Sequence, residues 1–375
     1  MKNLLFVTTL IVLFLISCKK DKDIVTAPQY SFSATTDTIT AIINQPLQIN
    51  ANQTSPSDAI SNWLLNDVSI SETATFNHSF DVAGFFTVTF KATNEAGSFE
   101  KKFIVNVEPV IRTGGSSQYI SNIYEYLPAP GQFINVAPGN PASAEGIVGK
   151  ANGLVTLGAY GGYIIFGFDH SVENKAGFDI AIYGNPIAPV TEWSEPGIVM
   201  VSRDDNGNGL PDDTWYELAG SEYNSSETIK NYSVTYYNPK TYANVPWKDN
   251  QGNTGAVEVN AFHKQQYYPL FATNQDSLVF TGTLLKNTFN KVGSTYVNNS
   301  FSWGYADSYS SGDDYATNKY NSFDITWAVD NNGKPVTLKA IDFVKVYTAQ
   351  NDKGNALLGE VSTELKGAED LHFEK

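Results

Sequence analysis

Apolar and polar positions alternate with a period of two along much of this chain, and long helical periodicities are absent. The clearest stretch is Phe86-Thr87-Val88-Thr89-Phe90-Lys91-Ala92. Every second side chain there is apolar, as a strand with one face on a core and the other in water requires. Asn94-Glu95-Ala96-Gly97 then supplies a turn, and residues 99–107 return as a closing strand before Pro109. Further on, short aromatic and β-branched runs recur at 153–157, 162–168, 178–183, 197–202, 277–281, 323–329 and 341–347, separated by Gly, Asn, Asp and Pro. Turn signals at such regular intervals predict a sandwich or jelly roll. The pattern therefore predicts an all-β chain with one β domain over 28–109 and a larger, jelly-roll-like β-sandwich over 118–375. Between them, residues 110–117 with Gly114-Gly115-Ser116-Ser117 read as a linker.

The amino end departs from this pattern. Met1-Lys2-Asn3 precedes an apolar run over 4–17 broken only by Thr8 and Thr9, the layout of a secretory signal peptide. The run is shorter than the roughly 20 apolar residues that span a bilayer. It ends in Leu15-Ile16-Ser17-Cys18, which resembles the bacterial lipobox. That resemblance implies cleavage before Cys18, a lipid on its thiol and attachment to a membrane. Cys18 is the only cysteine, so the mature chain has no internal disulfide and its stability must come from its cores. Residues 18–27 read as a solvated tether. The run Lys19-Lys20-Asp21-Lys22-Asp23 within it resembles the charged leaders of Bacteroidetes lipoproteins, some of which are displayed on the cell surface. The expected location is the outer membrane, at the cell surface.

A length of 375 residues fits two or three domains, and the 21 Tyr and 22 Phe fit β-sandwich cores. The formal charge of -15 excludes nucleic acid and anionic lipid surfaces as partners, since both require a positive counter-surface.

Within 28–109, Trp63 with Asn66-Asp67, His78-Ser79-Phe80, Gly84-Phe85-Phe86-Thr87-Val88 and Ala92-Thr93-Asn94 are spaced as in the PKD family, which this segment resembles. The resemblance implies an immunoglobulin-like spacer module, with Trp63 in its core and His78 packed nearby. Leu64-Leu65-Asn66-Asp67 lacks the glycine that the family usually places before the aspartate, so a differently built turn is expected there.

In the second domain, Gly161 to Asp169 and Phe178 to Asn185 read as a glycine-led strand pair. Ile198 to Asp204 followed by Trp215 to Gly220 is similar to the hairpin of discoidin-like and other carbohydrate-binding jelly rolls. Ile341 to Tyr347 resembles their late core strand, and the domain as a whole resembles those of PKD-containing cell-surface proteins of Bacteroidetes.

Inside that hairpin lies Asp204-Asp205-Asn206-Gly207-Asn208-Gly209-Leu210-Pro211-Asp212-Asp213. Asp204, Asn206, Asn208 and the Leu210 carbonyl alternate as oxygens wrapped around Ca²⁺ do, with Gly209 at the sharp turn. Trp215 stands where an EF-hand has its bidentate Glu, so the loop is closer to those of thrombospondin type 3 repeats, with Asp212 or Asp213 closing the shell. A structural Ca²⁺ is the expected cofactor, against the alternative of an ion-free Asx-rich loop.

Ligand contacts are expected from Trp215, Trp247, Trp303, Tyr305, Tyr309, Asp313 and Asp314. Rings interleaved with carboxylates can stack on apolar ligand faces and bond hydroxyls. Asp307 belongs to the same acidic stretch, and Tyr236-Tyr237, Tyr242 and Tyr267-Tyr268 extend the second aromatic patch around Trp247. Catalysis is not expected. Glu192, Glu195 and Asp204 offer carboxylates without a spacing that selects a pair, the four histidines show no zinc spacing, and no G-x-S-x-G elbow is present. The expected function is capture of an extracellular nutrient for a TonB-dependent outer-membrane transporter. Glycan is the first ligand class and a corrinoid-like cofactor the second. The competing readings are a structural or adhesive surface protein and, after it, a glycoside hydrolase.

Overall fold

A computed structural model describes residues 24–374 apart from 57, 189, 190 and 273. The signal peptide and Cys18 lie outside the described residues. Strand occupies 43% of the chain and helix 3%, so the fold is all-β, as the alternation predicts. The described residues form two compact units: 24–41 with 45–80 and 84–107, and 42–44 and 81–83 with 108 onward.

The first unit is a sandwich of a three-stranded and a five-stranded antiparallel sheet. Gly84–Asn94 pairs with Gly97–Glu108 through a two-residue turn in which Asn94 Oδ1 accepts from the Ala96 N–H at 3.0 Å. Trp63, Phe76, Phe90 and Phe103 are fully buried, and the Trp63 ring sits 4.8 Å from Phe90 and 5.5 Å from Phe76. Edge-on aromatic packing of this kind adds about 0.5–1.5 kcal/mol per pair beyond area burial. His78 packs edge-on to Phe80 at 4.7 Å. The turn at Leu65 and Val68 is the unusual one: Asn66 and Asp67 both take positive φ, +47° and +67°. Short Asx side chains tolerate that conformation, so a primed hairpin turn forms without glycine.

The second unit is built on a six-stranded antiparallel sheet. Its order is Ala328–Val329, Trp215–Leu218, Gly197–Ser202, Ala340–Thr348, Tyr163–Glu173, Asn122–Leu127. One face shares a core with a three-stranded sheet of Asn321–Phe323, Ile180–Tyr183 and Gly367–Asp370. Phe166, Val199, Val201, Val344 and Val346 meet Ile180, Ile182 and Phe323 there. Tyr347, Ile198 and Tyr305 form a second core with Leu285 and Phe301. Because the middle strands are covered on both faces, they read as continuous apolar runs instead of alternating ones. A four-stranded sheet (Thr254–Val257, Val245–Asp249, Ile229–Tyr237, Ser277–Leu284) carries its own tyrosine-rich core.

The expected hairpin forms: Met200, Val201 and Ser202 pair with Glu217, Tyr216 and Trp215. The expected pairing of 161–169 with 178–185 does not. Tyr163–Glu173 pairs with Ala340–Thr348 and Asn122–Leu127, while Ile180–Tyr183 lies in the other sheet. The chain crosses between layers instead of doubling back, since Phe168 and Ile180 fill one core from opposite sides. Nor is Gly114-Gly115-Ser116-Ser117 a free spacer. The Ser116 N–H and hydroxyl donate to Asp169 at 2.7 and 2.6 Å, and a side chain on Gly115 would collide with the His170 ring.

Candidate functional site

Three chain segments converge at one end of the large sandwich. Glu195 sits two residues before the Gly197–Ser202 strand, and its N–H donates to the Asp307 carbonyl at 2.9 Å. Asp307 occupies a left-handed turn at φ +53° that short acidic side chains tolerate. Glu364 opens the two-residue strand that pairs with Val155–Thr156. A carboxylate oxygen from each of Glu195, Asp307 and Glu364 lies within 4.8 Å of the other two.

Backbone N–H groups hold the cluster in place. Asp307 accepts from the Asn185 and Glu364 N–H groups, each at 2.8 Å, and Glu195 from the Ser362 N–H at 2.8 Å. The Asn185 side chain donates to Glu364 at 2.6 Å. Gly184 makes the approach possible, because a Cβ there would lie 2.5 Å from the Asp307 Oδ1 atom. Glu360, four residues before Glu364 and on the same side of the extended chain, accepts from the Gln132 N–H at 2.9 Å. Its second oxygen, Oε2, is buried without a hydrogen-bond partner.

Burial raises all four carboxyl groups, and repulsion from neighbouring carboxylates adds to it at Glu195, Asp307 and Glu360. Burial, then the Glu364 and Asp307 charges, pushes Glu195 well above its usual range. Burial and the Glu364 charge do the same to Asp307, against the two N–H bonds that favour its anion. Burial raises Glu364, and burial lifts Glu360 to about 7. No lysine or arginine forms an ion pair with any of the four among the described residues.

Glu195, Glu360 and Glu364 form the charged part of a cleft of about 410 Å³. Its apolar part comes from Phe133, Ile187, Trp193, Tyr296, Leu357 and Leu358. Ile187 and Leu357 are each 61% exposed, which makes the rim sticky, whereas Asp307 and Glu360 are 1% and 4% exposed. Glu195 is half-buried and so meets what enters. Trp193 is braced edge-on by Phe289 at 5.7 Å, and its backbone exchanges two 2.9 Å hydrogen bonds with Ile187. Convergent polar groups beneath apolar walls are the usual make-up of a small-ligand site.

The residues expected to bind ligand do not assemble. Tyr305 is buried in the core, with the Glu222 N–H donating to its hydroxyl at 3.0 Å. Trp303 packs on Trp327 at 4.6 Å, and Tyr309 on Tyr315 at 5.4 Å. Asp313 is buried and accepts from the Ser310 hydroxyl, Asn321 and Ser322. Asp314 is exposed at φ +52°. Trp215 is half-buried opposite Ser202, and Trp247 lies over Gly255 on the four-stranded sheet. Tyr236, Tyr267 and Tyr268 of the second patch are core residues, while Tyr237 and Tyr242 are exposed. Rings in a tyrosine-rich protein fill its cores first, and sequence alone does not separate the two uses.

The Asp204–Asp213 loop closes on itself. Asp204 accepts from the Asn208 and Gly209 N–H groups at 3.0 and 2.9 Å, with Gly209 at φ +76°. Asn208 and Asn206 donate to Asp212, and Asp213 accepts from the Asp205 N–H at 3.1 Å. The Asn206 and Asn208 side-chain oxygens accept from the Asn208 and Leu210 N–H groups at 2.9 and 2.7 Å, and the first residue of the loop is anchored by Asp342 accepting from the Asp204 N–H at 2.8 Å. The Leu210 side chain is 52% exposed.

Fold and cleft together define an all-β protein with a carboxylate-floored, aromatic-walled cleft. No family model matches the chain, and no curated protein sequence is similar to it. Among solved structures, a PKD domain from human KIAA0319 is 20% identical over 24% of this chain and 91% of its own, at a TM-score of 0.19. A mixed-linkage glucan utilization locus protein of Bacteroides ovatus, SGBP-B, solved with a mixed-linkage heptasaccharide, is 13% identical at 0.19; 59% of this chain covers 41% of that one. SusE-like protein BT2857 is 7% identical over 88% of this chain and 95% of its own, at 0.20. Scores this low transfer no ligand, and the functional reading rests on the residues of this chain.

Proposed function

We propose that this protein is a lipid-anchored, outward-facing binding protein of the outer membrane that captures a polyhydroxylated ligand, a glycan first, in the Trp193 cleft. One observation carries the reading: apolar rings and aliphatic side chains line one cleft with three glutamates, and no cationic residue lines it among the described residues. Sugar rings present apolar C–H faces to stack and hydroxyls to donate, and this lining matches both. A cleft charged only by carboxylates disfavours phosphorylated or sulfated ligands. The lipobox at Cys18 supports the anchor, and no helix among the described residues is long and apolar enough to cross a membrane. Handover to a TonB-dependent transporter and a spacer role for the first unit complete the reading, as does a Ca²⁺ that stiffens the Asp204–Asp213 loop.

Calorimetry of the protein against a panel of neutral oligosaccharides tests it, with cobalamin as the corrinoid member. Trp193→Ala is expected to weaken the best binder about tenfold or more, as loss of a central aromatic anchor does, with unchanged thermal stability. A panel in which nothing binds would leave a structural or adhesive surface protein instead. Cleavage of a bound oligosaccharide would replace capture by hydrolysis.

A further inference from the structure

The geometry points to a calcium-class cation site formed by Glu195, Asp307 and Glu364, of which Glu195 and Glu364 line the cleft together with Glu360. The claim rests on the capture reading only for the cation's purpose, which is to present open coordination positions to ligand hydroxyls. Its existence is independent of which ligand enters.

Four features of the site lead there. First, three acidic residues from separate parts of the chain bring oxygens within 4.8 Å of one another. Hard cations of calcium size bind oxygens at about 2.3–2.6 Å, so two ligands on opposite sides of the ion stand about 4.6–5.2 Å apart. Second, no lysine or arginine forms an ion pair with these carboxylates among the described residues, and the one cationic influence on Asp307 is the Lys366 charge at longer range. Buried carboxylates this close need either protons or a cation between them. Third, the groups are aimed before any ion arrives. The N–H groups of Asn185, Glu364 and Ser362 and the Asn185 amide fix the carboxylates from behind, as outer partners of metal ligands do.

The fourth feature is independent of the cluster itself. Glu360 is 4% exposed and lines the same cleft as Glu195 and Glu364, yet its Oε2 atom has no hydrogen-bond partner. A buried acceptor left without a donor is costly, of order 1–3 kcal/mol and more for a charged group. A cation, or a water molecule held by one, relieves it. The donor set is oxygen only, which selects hard ions over zinc or copper. Magnesium needs near-ideal octahedral geometry at about 2.0–2.1 Å and sheds water reluctantly, so an all-carboxylate nest of this width suits calcium better.

The experiment is calcium titration of the full chain after chelator treatment, by calorimetry and by thermal melting. Wild type, Glu195→Gln, Glu364→Gln and Asp204→Asn are compared, with magnesium run in parallel. A binding event is expected that is at least tenfold weaker in Glu195→Gln and Glu364→Gln and persists in Asp204→Asn. The melting temperature of metal-free Glu195→Gln should equal or exceed that of metal-free wild type, because one of three crowded carboxyl groups is replaced by a neutral amide. Calcium should then raise the melting temperature of wild type by more than that of Glu195→Gln. Equal calcium binding by wild type and both glutamine variants overturns the site, as does a response lost only in Asp204→Asn. Magnesium binding as tight as calcium overturns the choice of ion. Running the oligosaccharide panel with and without calcium separates the two readings. Sugar binding indifferent to calcium removes the cation's part in capture and keeps capture, whereas calcium binding without any sugar keeps the cation and removes capture.

Discussion

Asp342 offers the sharpest test of how the second unit is held together. It lies at 2% exposure on the Ala340–Thr348 strand and receives hydrogen bonds from three directions. Arg112 donates through Nη2 at 3.0 Å and Nε at 3.3 Å, the Ser171 hydroxyl at 2.6 Å and the Asp204 N–H at 2.8 Å. Replacing Asp342 by Ala leaves a buried N–H and a guanidinium without their acceptor. Breaking a buried ion pair from one side costs about 3–5 kcal/mol. Arg112 is 37% exposed and regains water, which places the expected loss at the lower end, about 3 kcal/mol. For a domain of this size that corresponds to roughly 6–12 °C in melting temperature. Asp342→Asn is the informative companion. With its oxygen toward Arg112 and Ser171, its amide must face the Asp204 N–H, donor against donor, so it should still lose at least about 1 kcal/mol. Urea unfolding followed by tryptophan fluorescence reads the right unit, because Trp63 alone of the six tryptophans lies outside it. An Asp342→Ala protein within about 0.5 kcal/mol of wild type, the range of an ordinary surface substitution, would refute the reasoning.

Three further outcomes are expected. Burial alone would raise Asp169, but hydrogen bonds from Ser116 and His170 outweigh it and hold the carboxyl at about 2. A carboxyl depressed on folding contributes stability above its unfolded value, which is lost as pH falls through the folded one. Asp169→Asn should therefore flatten the fall in stability between pH ~4 and ~2, and acid-unfolding curves parallel to wild type would count against it. Chelation should lower the melting temperature of the second unit, with a smaller effect in Asp204→Ala if the Asp204–Asp213 loop holds calcium. Identical chelator responses in wild type and Asp204→Ala remove an ion from that loop. Intact-mass spectrometry of membrane-extracted protein should find acyl chains on an N-terminal Cys18, and a soluble, unacylated Cys18→Ser form. An unmodified Cys18 ends the anchoring claim.

Local pattern decided much of this molecule. Period-two alternation, Asx and Gly turns and an absence of helical stripes are properties of neighbouring residues, and they were enough for an all-β chain; family resemblances carried by short motifs supplied Trp63 in a sandwich core and the hairpin of Gly197–Ser202 with Trp215–Leu218. Where partners come from far along the chain, the same pattern misled. Tyr163–Glu173 and Ile180–Tyr183 are close in sequence but lie in different sheets, because each strand goes where its apolar face is covered. Tyr305, Asp313 and Tyr236 looked like binding groups and are core or buried hydrogen-bonded residues. The cleft was the least legible part. Its one local trace is Glu360 and Glu364 on the same side of an extended segment that also carries Val361 and Leu365, two carboxylates where burial is expected. Glu195 had no spacing to mark it, and Asp307 read as a companion of Asp313. Only the tertiary structure brings Glu195, Asp307 and Glu364 together across as many as 169 positions, because the meeting of distant strands is set by which cores must close, and no local period records that.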